Sequence, residues 1–396
     1  MVGGNVIESL RFKVSAPGAR PQGSSGEKLT HATDRAKDAL RAGLGAPRLC
    51  YGAAPKFHDP RFKDPSGRLS NDAFTPHREP FPAPDPRPGP ERLTMVDFAA
   101  DRASGSSDVA LAFLDELARW AAQDTSSTPA AFRQALFARL RAAQAAQPSL
   151  ALIHQLAARA LDVIETGIAR GDSPADLRAH LALSCDAERE DLRKSREAVA
   201  AQAASLVTER EGWIATLSSS AAVRDAFLAA HRAGRKPRAL IAEGRPRFEG
   251  RALAAALAAE GIPVWLVVDA ALPLLLSQAR MLWLGADAVT EQGVINKIGS
   301  FAAALAAREH SVPVYALAER RKFLPAKTGA LRIVEMNPDE VWDAPAEGVR
   351  PRNVYFELVP MPLLRGVIVE DGALGGTEAA VTAQERALPD ALAAEP

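Results

Sequence analysis

Apolar residues recur along this chain in two different rhythms. From Met95 to about residue 211 they follow the spacing of amphipathic helices, and beyond Gly212 they form short runs that alternate with helical stretches. Short apolar runs separated by helices are typical of βαβ units, whose right-handed crossovers place helices on both faces of a mainly parallel sheet. The pattern therefore predicts a helical N-terminal domain over residues 94–205 and an α/β domain over 206–376.

Local signals set the bounds of the predicted elements. Thr128-Pro129 and Ser173-Pro174 each combine an N-cap residue with a first-turn proline. Gly171 and Gly212 suit helix C-termini. Three or four helices follow from these signals, with spans near 106–123, 129–146, 149–170 and 174–211. The predicted strands are Trp213–Leu217, Ala239–Ala242, Val264–Val268, Met281–Leu284, Val312–Leu317, Val354–Val359 and Val367–Val369.

The first 93 residues show neither rhythm. They hold nearly half of the 29 prolines, with many Gly, Ser and Arg, and end in a run of alternating prolines over 82–90. Such a segment cannot bury enough apolar surface to offset its chain entropy, so we expect a disordered leader over 1–93. A docking arm with polyproline segments is the alternative, and Met95 is an alternative start. The Ala/Glu-rich stretch 377–396 is expected to be a flexible tail.

Composition narrows the class of protein. Lys+Arg and Asp+Glu both number 48, so no global charge favours a nucleic-acid or membrane-surface partner. The leader carries a basic excess, which makes the predicted folded part mildly acidic, and we expect no direct nucleic-acid binding by it. The two cysteines, Cys50 and Cys185, exclude a disulfide framework or a cysteine zinc site. We expect no metal and no cofactor.

Two further features of the sequence indicate where the protein is located in the cell. The N-terminus lacks the pattern of a signal peptide. The most apolar stretch, Ile262–Leu276, is interrupted by Asp269 and two prolines and is shorter than a bilayer requires. We therefore expect a cytoplasmic protein with no membrane partner.

Polar residues follow five of the predicted strands. Because ligands of open parallel sheets bind at the carboxyl ends of the strands, we expect these residues to meet at one rim. They are Ser218–Ser220, Glu243–Pro246, Asp269, Gly285–Asp287 and Glu319–Lys322. The serine run precedes a helix, whose free N–H groups suit a phosphate. Ordinary N-capping by these serines is the alternative.

Three further residues are candidates for binding an anion or moving a proton. Asn296 suits an N-cap, and Lys297 then stands at a helix start, where the dipole disfavours a cation by about 0.3–1 kcal/mol. A bound anion would remove this conflict, while a solvated lysine is the alternative. Asp287, at a strand end, suits general acid–base chemistry or a sugar hydroxyl, or is a turn residue. Arg245 pairs with a phosphate or with a neighbouring glutamate.

Four motifs, in this order and spacing, resemble those of the initiation-factor-2B-related family. This family contains the regulatory subunits of translation initiation factor 2B, methylthioribose-1-phosphate isomerase and ribose-1,5-bisphosphate isomerase. The motifs are Gly244–Arg251, Gly285–Asp287, Gly293–Gly299 and Lys322-Phe323. Asp101–Ser107 resembles the family's glycine-containing ligand loop, and Phe356-Glu357 and Gly366–Glu370 resemble its last strands. The resemblance covers about residues 98–376 and implies a Rossmann-like fold.

The resemblance also implies site residues. The family's isomerases rearrange a phosphorylated ribose with a cysteine–aspartate pair and hold phosphate with backbone amides and basic side chains. Asp287 matches the aspartate of that pair, Asn296 and Lys297 match a substrate-binding Asn-Lys pair, and Lys322 matches a late lysine. Gly105 and Ser106 lie in the segment that resembles the ligand loop, and Ser219, Ser220 and Arg245 are the further candidates for binding the substrate. Ser218 occupies the cysteine position, and Gln147 stands where ribose-bisphosphate isomerases carry an arginine. A serine hydroxyl is far less acidic than a thiol of pKa about 8.5, so it transfers protons poorly.

Two hypotheses follow. The first is a noncatalytic or regulatory protein, similar to the initiation-factor subunits, that binds a sugar phosphate or nucleotide phosphate. The second is an aldose–ketose isomerase that uses Asp287 and an acid other than cysteine. The missing thiol distinguishes them in favour of the first. The resemblance further implies a homodimer or a larger oligomer formed through the α/β domain.

Overall fold

The protein is described by a computed structural model. Its described residues are 105–208, 212–326, 329, 331–386, 388 and 392. The leader predicted over 1–93 and the alternative start at Met95 lie outside these residues.

Four helices open the described chain. They are α1 (Ser106–Gln123), α2 (Pro129–Ala146), α3 (Ala151–Arg170) and α4 (Pro174–Ser205). The Thr128 side chain caps α2 by accepting a hydrogen bond from the Ala131 N–H, and Gly171 ends α3 in the left-handed region at φ 85°. The predicted stop at Gly212 is wrong, because α4 already ends at Ser205 and Gly212 has an extended φ of 158°.

These helices pack around one apolar core. Trp120 of α1 stacks on Phe132 of α2 with ring centroids 5.3 Å apart. The core residues include Phe113, Leu117, Phe132, Leu136, Leu140, Leu152, Ile164, Leu177 and Leu181, all almost fully buried. Since the apolar positions of each helix recur at helical spacing, they form a single stripe that faces this core.

The second half alternates strands and helices. Its strands are β1 (Trp213–Leu217), β2 (Ala239–Ala242), β3 (Val264–Val267), β4 (Ala279–Leu284), β5 (Ala288–Val289), β6 (Gly293–Lys297), β7 (Val314–Leu317), β8 (Phe356–Pro360), β9 (Gly366–Val369) and β10 (Gly372–Leu374). Its helices are α5 (Ala221–Arg232), α6 (Glu249–Ala259), α7 (Leu272–Leu275), α8 (Ser300–Glu309) and α9 (Gly376–Gln384).

The main sheet is doubly wound. Among the described residues its strand order is β10-β9-β7-β4-β1-β2-β3, and all neighbouring strands are parallel except the antiparallel pair β9 and β10. The chain builds β2 and β3 to one side of β1 and then returns to place β4 on the other side. The order therefore reverses between β1 and β4, the point at which open sheets of this kind bind ligands. The fold predicted from the sequence, a Rossmann-like domain after a helical region, is confirmed.

A small antiparallel sheet, β5-β6-β8, lies outside this order. The predicted strand near Val354–Val359 therefore belongs to the small sheet and not to the parallel one. β6 contains Asn296 and Lys297, which pair with Glu357 and Phe356 of β8. The helix start expected at Asn296 is wrong, because α8 begins only at Ser300.

The predicted flexible tail begins with a helix. Ala379 and Ala383 of α9 are fully buried and pack against the core of the main sheet. Their burial explains why the first part of the 377–396 stretch is ordered. None of the helices in the described ranges has both the length and the apolar composition needed to cross a membrane.

Candidate functional site

A cavity opens at the switch point between β1 and β4. Nine of the ten residues predicted for the site line it, drawn from the start of α1, the ends of β1, β4 and β6, and the turn after β7. They are Gly105, Ser106, Ser218, Ser219, Ser220, Asp287, Asn296, Lys297 and Lys322. Residues from both halves of the chain therefore meet in one place, as the topology of a parallel sheet requires.

Two helix N-termini meet at this cavity. Gly105 is the N-cap of α1 and Ser220 the N-cap of α5. A Cβ atom on Gly105 would lie 3.3 Å from the Ser219 carbonyl oxygen and 3.8 Å from the Ala221 nitrogen, so the two ends are in contact. Each N-terminus offers backbone N–H groups and the positive end of a helix dipole. Together they form the part of the cavity best suited to an anion.

The Ser220 hydroxyl also caps the N-terminus of α5. It accepts a hydrogen bond from the Val223 N–H at 3.5 Å, as an N-cap residue does. The capping alternative is therefore correct for Ser220, whose hydroxyl satisfies the Val223 N–H.

Ser218 lies between β1 and α5 in an uncommon backbone conformation. Its φ of 62° is in the left-handed region, which non-glycine residues seldom adopt. The backbone of Gly244 packs close by, since a Cβ on Gly244 would lie 3.5 Å from the Ser218 Cα. Such conformations are held by the surrounding structure and are frequent at functional sites. This is the position at which the resemblance implies a cysteine.

Asp287 is held firmly by its backbone. Its N–H donates to the Ile295 carbonyl at 2.8 Å, and its own carbonyl accepts from the Ala151 N–H at 3.0 Å. Burial raises the pKa of Asp287 to about 6, while the Lys322 charge and the Ser106 hydroxyl act in the opposite direction. A carboxyl group with this pKa exchanges a proton near neutral pH, which is what a general acid or base needs.

Lys297 is part of a buried ion pair. Its Nζ lies 2.6 Å from Oε1 of Glu249, and both side chains are more than nine-tenths buried. The same ammonium group lies 4.4 Å from the centre of the Tyr355 ring, within cation–π distance. Lys297 is neither solvated nor at a helix start. Because Glu249 balances its charge, the argument that Lys297 requires an anionic ligand does not hold.

Lys322 is balanced in a similar way. Its Nζ lies 2.8 Å from Oε2 of Glu319, and Glu319 also accepts a hydrogen bond from the Ser107 hydroxyl at 3.1 Å. Burial is the largest influence on the pKa of Glu319 and acts to raise it, but the charge of Lys322 and the hydrogen bonds from Lys322, the backbone and Ser107 together hold that pKa below its ordinary value. With both lysines paired to carboxylates, the helix N-termini are the stronger attraction for an anion.

Asn296 and Gly285 close one wall of the cavity. The Asn296 Nδ2 donates to the Ser300 hydroxyl at 2.9 Å, which donates in turn to the Lys297 carbonyl at 2.6 Å. A Cβ on Gly285 would lie 2.8 Å from the Cβ of Ser220 and 3.2 Å from Oδ1 of Asn296. Only glycine fits at residue 285 without moving these neighbours.

Arg245 is the predicted site residue that the structure does not bring to the cavity. Its side chain is exposed and donates to the Val341 carbonyl at 3.1 Å. Asp269 accepts from the backbone N–H groups of Gly244 and Arg245, each at 2.8 Å. The ends of β2 and β3 thus bind each other, and the expected convergence of all five strand ends is wrong for these two.

The structure adds residues that the sequence argument missed. Glu249 and Tyr355 line the cavity together with Gln147, which the resemblance had already singled out. The Gly244–Arg251 motif contained the signal for Glu249. Nothing in the local pattern indicated Tyr355, because it precedes β8 and reaches the cavity only through the small sheet.

The N-terminus of α8 already holds a carboxylate. Glu357 accepts a hydrogen bond from the Phe301 N–H at 2.9 Å. Burial raises the pKa of Glu357, while backbone N–H groups of Phe301, Gly299 and Ser300 oppose this effect. Since a protein carboxylate occupies this helix end, the N-termini of α1 and α5 are the ones left for a ligand.

The fold defines the class, a Rossmann-like α/β protein with a helical region before it, and the cavity lies where such proteins bind small molecules. Comparison with known families gives a more specific assignment. The profile of the Initiation factor 2 subunit family matches residues 102–376. The chain belongs to this family, which confirms the resemblance found in its motifs.

Relatives include both translation-factor-like proteins and isomerases. A translation initiation factor eIF-2B subunit 2-like protein from Pyrococcus furiosus is 37% identical over 162 residues, which cover 41% of this chain and 57% of the relative. The ribose 1,5-bisphosphate isomerase of Archaeoglobus fulgidus is 33% identical over 178 residues, covering 44% of this chain and 57% of the relative. The matched part thus spans little more than half of either relative.

A solved structure supports the fold over a longer stretch. The crystal structure of the translation initiation factor eIF-2B from Pyrococcus horikoshii OT3 aligns with a TM-score of 0.61 at 25% identity. The alignment covers 71% of this chain and 94% of that one. The helical region and the α/β domain therefore occur together in this relative.

Proposed function

We propose that this protein is a noncatalytic or regulatory member of its family that binds a phosphorylated small molecule, either a sugar phosphate or a nucleotide phosphate. The observation that carries the proposal is the composition of the cavity. Ser218 stands at the position of the isomerases' cysteine, beside two helix N-termini that suit a phosphate. The cavity has helix N-termini suited to binding a phosphate, but it lacks the thiol of the isomerases.

The binding part rests on geometry. The N-termini of α1 and α5 meet at Gly105 and Ser219, at the carboxyl end of β1 and next to the switch point. Anions bind at such ends because N–H groups and helix dipoles both favour negative charge. Asp287 and Asn296, which line the same cavity, suit the hydroxyl groups of a sugar.

The noncatalytic part rests on three positions. A serine hydroxyl at residue 218 is a poor proton donor compared with a thiol. Gln147 lines the cavity where ribose-bisphosphate isomerases carry a phosphate-binding arginine. Cys185 offers no substitute, since it is buried in α4 and burial raises the pKa of its thiol to about 12.

One observation favours the alternative, an aldose–ketose isomerase acting on ribose 1,5-bisphosphate or methylthioribose 1-phosphate. Asp287 has a pKa of about 6, which suits proton transfer between carbon atoms of a sugar. The relative named ribose 1,5-bisphosphate isomerase is consistent with this reading. It requires an acid other than cysteine in the cavity.

A turnover assay on both substrates distinguishes the two functions. The parent protein and Ser218→Cys are expected to show little or no conversion, because Gln147 leaves a bisphosphate poorly held. The double variant Ser218→Cys with Gln147→Arg should gain the most activity. Ser277→Cys, which adds a thiol at an exposed position away from the cavity, is the control. Robust turnover by the parent would contradict the regulatory function.

The proposed function also includes an oligomeric state, a cellular location and domain bounds. We expect a homodimer or larger oligomer formed through the α/β domain, a cytoplasmic location, and domain bounds of 94–205 and 206–376. Light scattering coupled to size-exclusion chromatography would measure the mass in solution. A monomer at all concentrations would contradict the expected assembly.

A further inference from the structure

A long connection between the turn after β7 and strand β8 crosses the α/β domain near the cavity. We call residues 331–355 the strap; its regular structure among described residues is the short 3-10 turn Pro338–Glu340 and an isolated antiparallel β-bridge between Glu335 and Val354. Within the strap, the Glu340 carboxylate accepts hydrogen bonds from three side chains. Its Oε1 accepts from Arg247 at 3.1 Å, and its Oε2 accepts from Asn353 at 2.8 Å and from the Tyr355 hydroxyl.

These contacts connect the strap to the cavity. The Tyr355 ring is 2% exposed, lines the cavity and covers the ammonium group of Lys297 at 4.4 Å. Lys297 pairs at 2.6 Å with Glu249, which lies two residues after Arg247 in the chain. The contacts therefore form a closed circuit, from Glu340 through Tyr355, Lys297 and Glu249 back to Arg247.

The Glu340 carboxylate is the acceptor for a buried phenol. Burial of Tyr355, together with the hydrogen bond and charge of Glu340, raises the pKa of its hydroxyl above the ordinary range. A buried hydroxyl that loses its acceptor pays a desolvation penalty, so the ring would seek another orientation. Any such movement uncovers Lys297, because the ring is the cation–π partner on that side.

We propose that Glu340 is a positioning residue for the cavity: by holding Tyr355 over Lys297, it keeps the Lys297–Glu249 pair closed. That this matters for a ligand rests on the proposed function of the same cavity. The positioning itself is a property of the protein alone.

Chemical protection of Lys297 tests this without a ligand. Brief treatment with acetic anhydride followed by peptide mass spectrometry measures the acetylation of Lys297 relative to Lys322, which is 2% exposed. Glu340→Gln replaces one acceptor oxygen with an amide donor, so the side chain can no longer accept from Arg247, Asn353 and Tyr355 together. Tyr355→Phe keeps the ring but removes its hydrogen bond to the strap. Both variants should acetylate Lys297 several-fold faster than the parent does.

A matched control lies on the same strap. Glu335→Gln removes the ion pair with Arg352, which is exposed and separate from the circuit. This variant should leave Lys297 as protected as in the parent. If Glu340→Gln and Tyr355→Phe both leave Lys297 protected while remaining folded by circular dichroism, the positioning role is refuted.

Two further readouts separate this proposal from the proposed function. Ultraviolet titration should show a lower phenol pKa for Tyr355 in Glu340→Gln, and an unchanged titration would refute the contact. Calorimetry with ribose 5-phosphate should show about tenfold weaker binding by Glu340→Gln than by Glu335→Gln. If the parent binds no ribose 5-phosphate, that counts against the proposed function, while Lys297 protection still decides the role of Glu340.

Discussion

Replacing Lys297 with methionine removes the ammonium group of a buried ion pair and keeps most of the side-chain volume. In the parent, the Lys297 Nζ lies 2.6 Å from Oε1 of Glu249 and 4.4 Å from the Tyr355 ring. Glu249 is 9% exposed, so after the substitution its carboxylate is left without a counterion and nearly without water. The substitution therefore changes the environment of Glu249, the remaining partner of the ion pair, as much as it changes residue 297.

The size of the effect follows from this burial. Removing one partner of a buried ion pair typically costs about 3–5 kcal/mol, because it leaves an uncompensated charge. Against a total stability of about 5–15 kcal/mol for an ordinary protein, this is a large loss. The double variant Lys297→Met with Glu249→Gln removes both charges and should recover most of it.

Guanidinium unfolding at pH 7 measures these free energies through the transition midpoint. The control is Arg193→Met, which breaks exposed pairs with Glu190 and Glu197 and should leave the transition midpoint nearly unchanged. The reasoning is refuted if Lys297→Met costs as little as the control, or if the double variant is no more stable than Lys297→Met alone.

Other predictions concern the carboxyl group and the glycine of the cavity. Because the pKa of Asp287 is raised from 3.8 to about 6, its protonated form stabilises the fold below pH 4, and this contribution, about 3 kcal/mol at most, is lost as the pH rises through 6. Thermal unfolding from pH 4 to 8 should show a shallower decline for Asp287→Asn, and parallel curves would contradict this. Gly285→Ala should weaken binding of a phosphorylated ligand in calorimetry, because its Cβ would lie 2.8 Å from that of Ser220. Gly375→Ala, whose Cβ meets nothing within 4 Å, should bind like the parent, and equal affinities for both variants would refute the steric argument.

Elements with local signals were predictable from the sequence. The bounds of α1 and α2 match the predicted spans, since the cap at Thr128 and the helical spacing lie within the elements themselves. The end of α4 was missed because no glycine or proline marks Ser205. There the chain leaves the helix so that Val207 can join the core beneath α5.

Strand β6 shows more clearly where prediction from local sequence patterns fails. Asn296 resembles an N-cap when only its neighbours are considered, yet it pairs with Glu357 of β8. That pairing depends on residues far along the chain, which no local pattern reports. Antiparallel pairing in the small sheet therefore overrode the local preference.

The site was predictable in outline and not in its electrostatics. Parallel-sheet topology brings the ends of β1 and β4 together, so the serine run and Asp287 were expected to meet. The sequence did not show which of Arg245 and Glu249 faces the cavity. Both lie in one motif, and the turn into α6 decides which side chain lies there. The Lys297–Glu249 pair joins residues 48 positions apart, so its neutralising effect was also missed.

In the proposed function, the cavity binds a phosphorylated small molecule without converting it. A phosphorus NMR titration of the protein into a mixture of ribose 5-phosphate, ribose 1,5-bisphosphate and adenosine monophosphate tests this directly. We expect saturable broadening of at least one phosphate resonance and no new resonance over time. Sharp, unshifted resonances at all protein concentrations, or the appearance of a ketose bisphosphate, would contradict it.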